Sequence, residues 1–241
     1  MKKMKVGIVG AGQMGTQIGK VASDDHDVIF YDIDRGKSRH VANKLNVRYE
    51  DEIHEILRSH IIFLAVPGSA VIELLKEYQA SGSKETLWVN ISTFVTLKDM
   101  ISVTGDGSNL VSCKIIGHFE MMSPTNPCAF VIHQVHPQND LTSIVEKIFK
   151  RVGMTIYDDE NKYLEINYIA AAEAMRGALN VAKLLRSLDI QFPIIEAAIK
   201  QVFVGTAGQF PYANPDYFHD LVYKRNPGLK KLNQEILKLS R

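Results

Sequence analysis

Lys5-Val6-Gly7-Ile8-Val9-Gly10-Ala11-Gly12-Gln13-Met14-Gly15 opens the chain with an apolar, β-branched run that breaks into G-x-G-x-x-G. The spacing predicts a strand, a tight turn and a helix. Gly10 permits the turn, Gly12 leaves the backbone bare for a pyrophosphate, and Gly15 lets the helix pack close on the strand. Amides at the helix start then face the phosphates with the helix dipole behind them. Gly10, Ala11, Gly12, Gln13, Met14 and Gly15 are therefore the expected phosphate-binding residues. A second strand, Asp27-Val-Ile-Phe-Tyr31, ends at Asp32, about twenty residues beyond Gly12, where an acid accepts hydrogen bonds from an adenosine ribose. The chain reads as a binder of a dinucleotide. A carboxylate at Asp32 repels a 2′-phosphate, which favours NAD over NADP. Arg35, Lys37 and Arg39 follow; they either reach such a phosphate or simply form the solvated, basic start of the next helix.

Composition narrows the classes. The 241 residues are 46% hydrophobic and carry a net charge of +1, as expected of an ordinary globular chain with a sizeable core. Lys and Arg are scattered rather than striped, so no nucleic-acid partner is expected. Cys113 and Cys128 form neither a C-x-x-C nor a disulfide framework, and no dense His/Cys cluster suggests zinc. The first apolar run carries the glycines of the turn and lacks a small-residue cleavage site, and no segment approaches the roughly 20 apolar residues of a membrane span. The expected location is cytoplasmic, away from any membrane.

Strands and helices alternate over the first two-thirds. Strands are expected at residues 46–49, 60–66, 86–91, 113–116, 129–133 and 154–157, with helices at 51–59, 70–78, 97–103 and from Asp140, a plausible N-cap, to about 151. The apolar run 60–66 fits a parallel strand covered on both faces. The character changes near Asp158. From Glu160 to Leu188 only Gly177 interrupts good helix formers, which predicts a helix of roughly 40 Å. Shorter helices should start at Pro193, Pro215 and Pro227. The expected organisation is a dinucleotide-binding α/β domain with a parallel sheet, residues 1–158, and an all-helical domain, residues 159–241. About eighty residues of helix cannot bury their apolar faces alone, so the helical domain is expected to form a homodimer.

Ligands of open α/β sheets bind beyond the carboxyl ends of the strands. Those ends supply Ala65, Val66 and Pro67, which offer backbone groups to the ribose and nicotinamide, and Ser92 and Thr93, which either bond carboxamide or substrate or cap the next helix. Ser92 is thus expected both at the cofactor and among the catalytic residues. His118 follows an interior strand and is the leading acid/base candidate, with Glu120 close by on the substrate side. On the long helix Glu173, Arg176, Asn180 and Lys183 share one face. They form either a solvated stripe or, through Arg176 and Lys183, a clamp for a small carboxylic acid substrate.

With these residues the chain resembles the prephenate/arogenate dehydrogenases, within the wider group of Rossmann dehydrogenases that carry an all-helical dimerising domain. The resemblance runs through the glycine turn, Tyr31-Asp32-Ile-Asp34, Leu64-Ala-Val-Pro67-Gly-Ser-Ala, residues 117–124 and Asn214-Pro-Asp-Tyr-Phe-His-Asp220 with Asn226. It implies NAD- or NADP-dependent hydride removal from a cyclohexadienol with oxidative decarboxylation, in tyrosine biosynthesis, a histidine taking the hydroxyl proton. The family segment G-x-H-P-M-x-G-P, aligned without gaps, puts Phe119 in the histidine slot and Glu120 in the proline slot, leaving His118 one residue early. The family's His-Asp pair reads Lys162-Tyr163, and its serine-x-lysine reads Thr93 and Val95. The fold resemblance is therefore stronger than the substrate resemblance. Two alternatives stand beside it: a dehydrogenase or reductase of the same architecture acting on another small carboxylic acid, and a dinucleotide-binding sensor without catalysis.

Overall fold

Lys5–Val9 forms β1, and the glycine turn delivers the chain into α1 (Gln13–Ser23). The computed structural model describes residues 3–209, apart from residues 82, 106, 119, 137 and 138. The remaining strands are β2 (Asp27–Tyr31), β3 (Arg48–Tyr49), β4 (Ile61–Leu64), β5 (Leu87–Asn90), β6 (Leu110–Ile116), β7 (Cys128–Gln134) and β8 (Gly153–Tyr157). They make one eight-stranded sheet in the order β3-β2-β1-β4-β5-β6-β7-β8. The order reverses between β1 and β4, which opens a crevice at the carboxyl ends of those strands.

The sheet is parallel from β3 through β6, but β7 pairs antiparallel with β6 and β8 then runs parallel to β7. A wholly parallel sheet was the expectation. Residues 117–127 are too few for the crossover of a dozen or more residues, usually a helix, that a parallel partner requires, so the chain turns straight back. The helix α5 (Asp140–Lys150) supplies the last crossover, from β7 to β8.

Both faces are covered. Ile18 and Ala22 of α1, Val41 of α2 (Arg35–Leu45) and Val145, Ile148 and Phe149 of α5 share one apolar cluster. Val71 and Leu75 of α3 (Gly68–Tyr78), Leu97 and Met100 of α4 (Leu97–Thr104), and Ile56 and Leu57 share the other. Every residue of β4 and β5 is buried, as the unbroken apolar run of β4 requires. Phe149 stacks on Phe130 at 4.3 Å and meets Phe63 edge-on at 5.9 Å, joining α5 to two strands.

Several local expectations are corrected. Asn46 takes φ 53° as the C-cap of α2, which only a few residue types tolerate, so β3 cannot start there and shortens to two residues. Residues 51–59 give a 3-10 helix, Ile53–Arg58, rather than an α-helix. The N-cap of α5 is Asn139, not Asp140, because its side chain accepts from Thr142 N while the Thr142 side chain returns to Asn139 N. The long helix begins later than expected: Glu160–Lys162 is a 3-10 turn and α6 spans Ile166–Ser187, 22 residues, or roughly 33 Å.

The chain divides into two compact units, Met1–Tyr168 and Ile169–Arg241. This division lies beyond Asp158, where the sequence changes character, because the side chain of Glu160 is buried and bonded to Leu97 and Ser112. In the second unit α6 is followed by α7 (Phe192–Ala197), which has Pro193 in its first turn, then by π-helical Ala198–Phe203 and α8 (Val204–Gln209). Gly177 is explained here: a Cβ would stand 2.6 Å from the Phe203 ring. No described residue of α6 is buried, and Met175, Leu179 and Leu184 are exposed. The helices expected at Pro215 and Pro227, and the segment from Asn214 to Asn226, lie outside the described residues. No described helix is long and apolar enough to cross a membrane.

Candidate functional site

The three glycines of the turn have three different surroundings. Gly10 adopts φ +104°, donates its N–H to Tyr31 O at 2.8 Å, and would place a Cβ 2.3 Å from Ala65 O. A Cβ on Gly15 would stand 2.0 Å from Gly10 O, so α1 touches the strand backbone. Gly12 is the opposite case: nothing lies within 4 Å of its would-be Cβ. It is the N-cap of α1, and no side chain caps that helix. First-turn amides of a helix lack intrahelical partners, so α1 presents donors and the positive end of its dipole to open space.

Asp32 braces the turn from the end of β2. Its Oδ2 accepts from Ala11 N at 2.7 Å and its Oδ1 from Asp34 N at 2.9 Å. An ionised carboxylate has about four acceptor positions, so two remain for a ribose. Asp34 caps α2 by accepting from Gly36 N and Lys37 N. A cleft of about 1160 Å³ opens over the turn.

The cleft gathers most of the cofactor residues expected from the sequence. Gly10, Ala11, Gly12, Gln13, Asp32, Ala65, Val66 and Pro67 all line it, as does Glu120. Met14 and Gly15 do not, since Met14 packs on the core and Gly15 on Gly10. Ser92 and Thr93 follow β5 and His118 follows β6, at the expected strand ends but off the cleft wall. His118 is exposed, and its carbonyl accepts from Met121 N at 3.0 Å. Phe119 lies outside the described residues. Arg176 and Lys183 stand on α6 in the second unit, where Arg176 pairs with Glu173. Lys162 and Tyr163 both bond Asp158, at 2.6 and 2.8 Å, and hold its carboxyl down to about 2.

Of Arg35, Lys37 and Arg39, Lys37 alone lines the cleft. Arg35 is held by Glu52 at 3.0 Å, and Arg39 lies over the Tyr49 ring at 5.4 Å. Lys37, His40 and Lys44, one face of α2, line one side, while Glu73 and Glu77 of α3 line the cleft as well. His40 and Lys44 were missed in the sequence, although their three- and four-residue steps from Lys37 carry the signal.

A second group was missed altogether. Lys114 and Glu160 form a buried ion pair at 3.1 Å, 3% and 1% exposed. Lys114 Nζ donates to Ser92 O at 2.9 Å and to Val95 O at 2.5 Å. Glu160 accepts from Leu97 N through Oε1 and from Ser112 Oγ through Oε2, both at 2.5 Å, and His133 Nδ1 lies 3.4 Å away. Asn90, fully buried at the end of β5, donates to Val95 O at 2.7 Å and accepts from Ser92 N at 2.9 Å. Burial lowers the pKa of Lys114, with Glu160 opposing the shift. The only hint in the sequence was a lysine inside an apolar strand, Val-Ser-Cys-Lys114-Ile-Ile, since a buried charge needs a partner. Burial also pushes both thiols, Cys113 and Cys128, up and away from reactivity. No cluster among the described residues is able to hold a metal ion.

Known proteins agree with this geometry. Residues 5–93 match a family described as NADP oxidoreductase, coenzyme F420-dependent. Glycerol-3-phosphate dehydrogenase (NAD(P)+) of Acholeplasma laidlawii is 22% identical over 145 residues, 54% of this chain and 43% of that relative, so the chain matches less than half of its length. A pyrroline-5-carboxylate reductase from Coxiella burnetii superposes with a TM-score of 0.67 at 16% identity, covering 99% of this chain and 92% of its own. Plasmodium falciparum pyrroline carboxylate reductase, solved with NADP bound, gives a TM-score of 0.70 at 15% identity over 100% and 93%. These likenesses establish the fold, a mostly parallel Rossmann sheet followed by helices as in pyrroline-5-carboxylate reductases. They do not support the prephenate dehydrogenases in particular, and a nicotinamide dinucleotide fits the glycine turn and its cleft.

Proposed function

We propose that the protein is an NAD(P)-dependent oxidoreductase that transfers hydride to or from a small carboxylic acid. The observation that carries this reading is the bare Gly12 at the uncapped start of α1, opening into a cleft walled by Asp32 and Pro67. The amides of Gly12 and Gln13 at the start of α1 would hold the pyrophosphate, those of Gly10 and Ala11 being given to Tyr31 O and Asp32, and Asp32 would hold the adenosine ribose. The bound cofactor supplies or accepts the hydride. A proton must move with it, and the candidates are Glu120, on the cleft wall, and His118, two residues earlier and off that wall.

The substrate reading moves from prephenate to a different small acid. Phe119 and Glu120 occupy the histidine and proline slots of the prephenate family, whereas the relatives above are named for pyrroline carboxylate and glycerol 3-phosphate. Asp32 favours NAD(H), and the Lys37, His40 and Lys44 face gives NADP(H) a second foothold. The exposed apolar side chains of α6 support a homodimer through the helical unit.

The test is calorimetry with NADH and NADPH, followed by absorbance turnover assays with pyrroline-5-carboxylate, glycerol 3-phosphate, prephenate, arogenate and small hydroxy acids. Binding of at least one cofactor and turnover of a non-prephenate acid are expected. Binding without any turnover would favour the sensor, and no binding of either cofactor would sink the proposal.

A further inference from the structure

Three buried side chains from three elements converge on one short loop. Asn90 of β5, Lys114 of β6 and Glu160 of the turn before α6 together satisfy Ser92 N, Ser92 O, Val95 O and Leu97 N. Apart from their mutual contact, the Ser112 hydroxyl and the nearby His133 ring, the side-chain hydrogen bonds of the charged pair go to this loop and to Leu97 at its end. A buried ion pair is a poor way to gain stability, because apolar side chains of similar size often serve as well. What apolar residues cannot do is fix the direction of four backbone groups.

The fold places the loop where it matters for a dinucleotide. Such a ligand spans two mononucleotide halves across the crevice at the strand-order reversal. The glycine turn and Asp32 occupy the half built on β1 to β3, so the second nucleotide falls to the half built on β4 to β6. Residues 91–96 follow β5, at the centre of that half. They also pack close to Gly68, the neighbour of the cleft residue Pro67: a Cβ on Gly68 would meet Val95 Cγ2 at 2.9 Å and Ser92 Oγ at 3.3 Å. The anchored backbone carries Thr93 and Phe94 outward, the latter 75% exposed.

We infer that the Lys114 and Glu160 pair is a positioning device for residues 91–96, and that this loop, through Ser92, Thr93 and Phe94, contacts the nicotinamide half of the cofactor. The inference rests on the dinucleotide reading above. Preorganised sites need such a supporting layer, since a contact group left loose loses most of its value.

The experiment compares NADH with ADP-ribose, which lacks the nicotinamide, by calorimetry on the full chain. Phe94→Ala removes an exposed side chain and leaves the fold intact. The double variant Lys114→Met/Glu160→Leu removes the anchor without leaving a lone buried charge. Each is expected to weaken NADH on the order of tenfold, the scale of one lost hydrogen bond or contact, while ADP-ribose affinity changes less than about twofold. The double variant should lose that selectivity even where its melting temperature matches the wild type, a separation that a merely structural pair would not produce. Equal losses for both ligands, or an unchanged ratio in both variants, would overturn the inference while leaving the dinucleotide reading standing. A wild-type chain that binds neither ligand would remove both.

Discussion

Two regions at the carboxyl edge of the sheet, the glycine turn and the loop after β5, are built by opposite means. At the glycine turn, side chains are subtracted: Gly10 and Gly15 touch backbone, and Gly12 faces nothing. At the loop after β5, charge is added under the surface, with Lys114, Glu160 and Asn90 directing a backbone that carries few turn residues of its own. The first device works within one strand, turn and helix. The second joins residues far apart in the chain through hydrogen bonds that only the finished sheet assembles. A local device tolerates change elsewhere, whereas the assembled one fails if any of its three elements shifts.

The largest expected effect breaks the assembled side. Glu160→Leu alone strands the Lys114 ammonium in the core and should destabilise by about 3–5 kcal/mol, read as a fall in the denaturant midpoint. Adding Lys114→Met should recover much of that loss; if it does not, the pair's value is packing rather than charge. Gly15→Ala breaks the local side, because its methyl collides with Gly10 O, and should cost about 1–3 kcal/mol in the same assay.

Gly12→Ala sharpens the contrast. With open space and an ordinary extended backbone at that N-cap, stability should stay within about 0.5 kcal/mol of wild type. Affinity for NADH should nevertheless fall roughly tenfold, since the methyl intrudes where the pyrophosphate approaches. A variant that binds normally would remove Gly12 from the site. Asp32→Ala should narrow or reverse the preference for NADH over NADPH, measured by competitive titration, and an unchanged preference would shift discrimination to the α2 face.

The smallest effect concerns pH. Hydrogen bonds from the backbone N–H and hydroxyl of Thr96 lower the carboxyl of Asp99 below its ordinary 3.8, in the capping box that starts α4. A depressed acid stabilises the fold above its unfolded pKa and loses that contribution as pH falls through the folded one. Asp99→Asn should therefore flatten the acid limb of the stability curve below about pH 4, with no change near neutrality beyond the cap itself, worth about 1 kcal/mol. An acid limb identical to wild type would count against the cap.

Much of the first half is legible in the sequence. The glycine turn, Asp32, and the strands around Trp88 and Phe63 declare themselves through short-range pattern, because their physics is local backbone freedom and burial on both faces. The start of α5 was misplaced by one residue because Asn139 and Asp140 are both good caps, and only the reciprocal Thr142 bond separates them. The reversal at β7 was missed because strand direction is set by connection length, which an apolar run does not reveal. Glu160 looked like the first residue of a long helix, and nothing within ten positions of it announces Lys114.

That separation along the chain sets an order of events during synthesis. The strand carrying Lys114 emerges from the ribosome well before Glu160, and β6 closes on β7 through a short connection, an inexpensive loop to form early. Until Glu160 arrives, the lysine has no counter-charge and the loop after β5 lacks its acidic anchor. A chain ended at Asp158, where the sequence changes character, would keep every strand of the sheet yet stop two residues short of the stitch that fastens it. A chain ended at Tyr168 would include it. The last few residues of the first unit therefore govern when, during translation, the loop after β5 gains its full set of anchors.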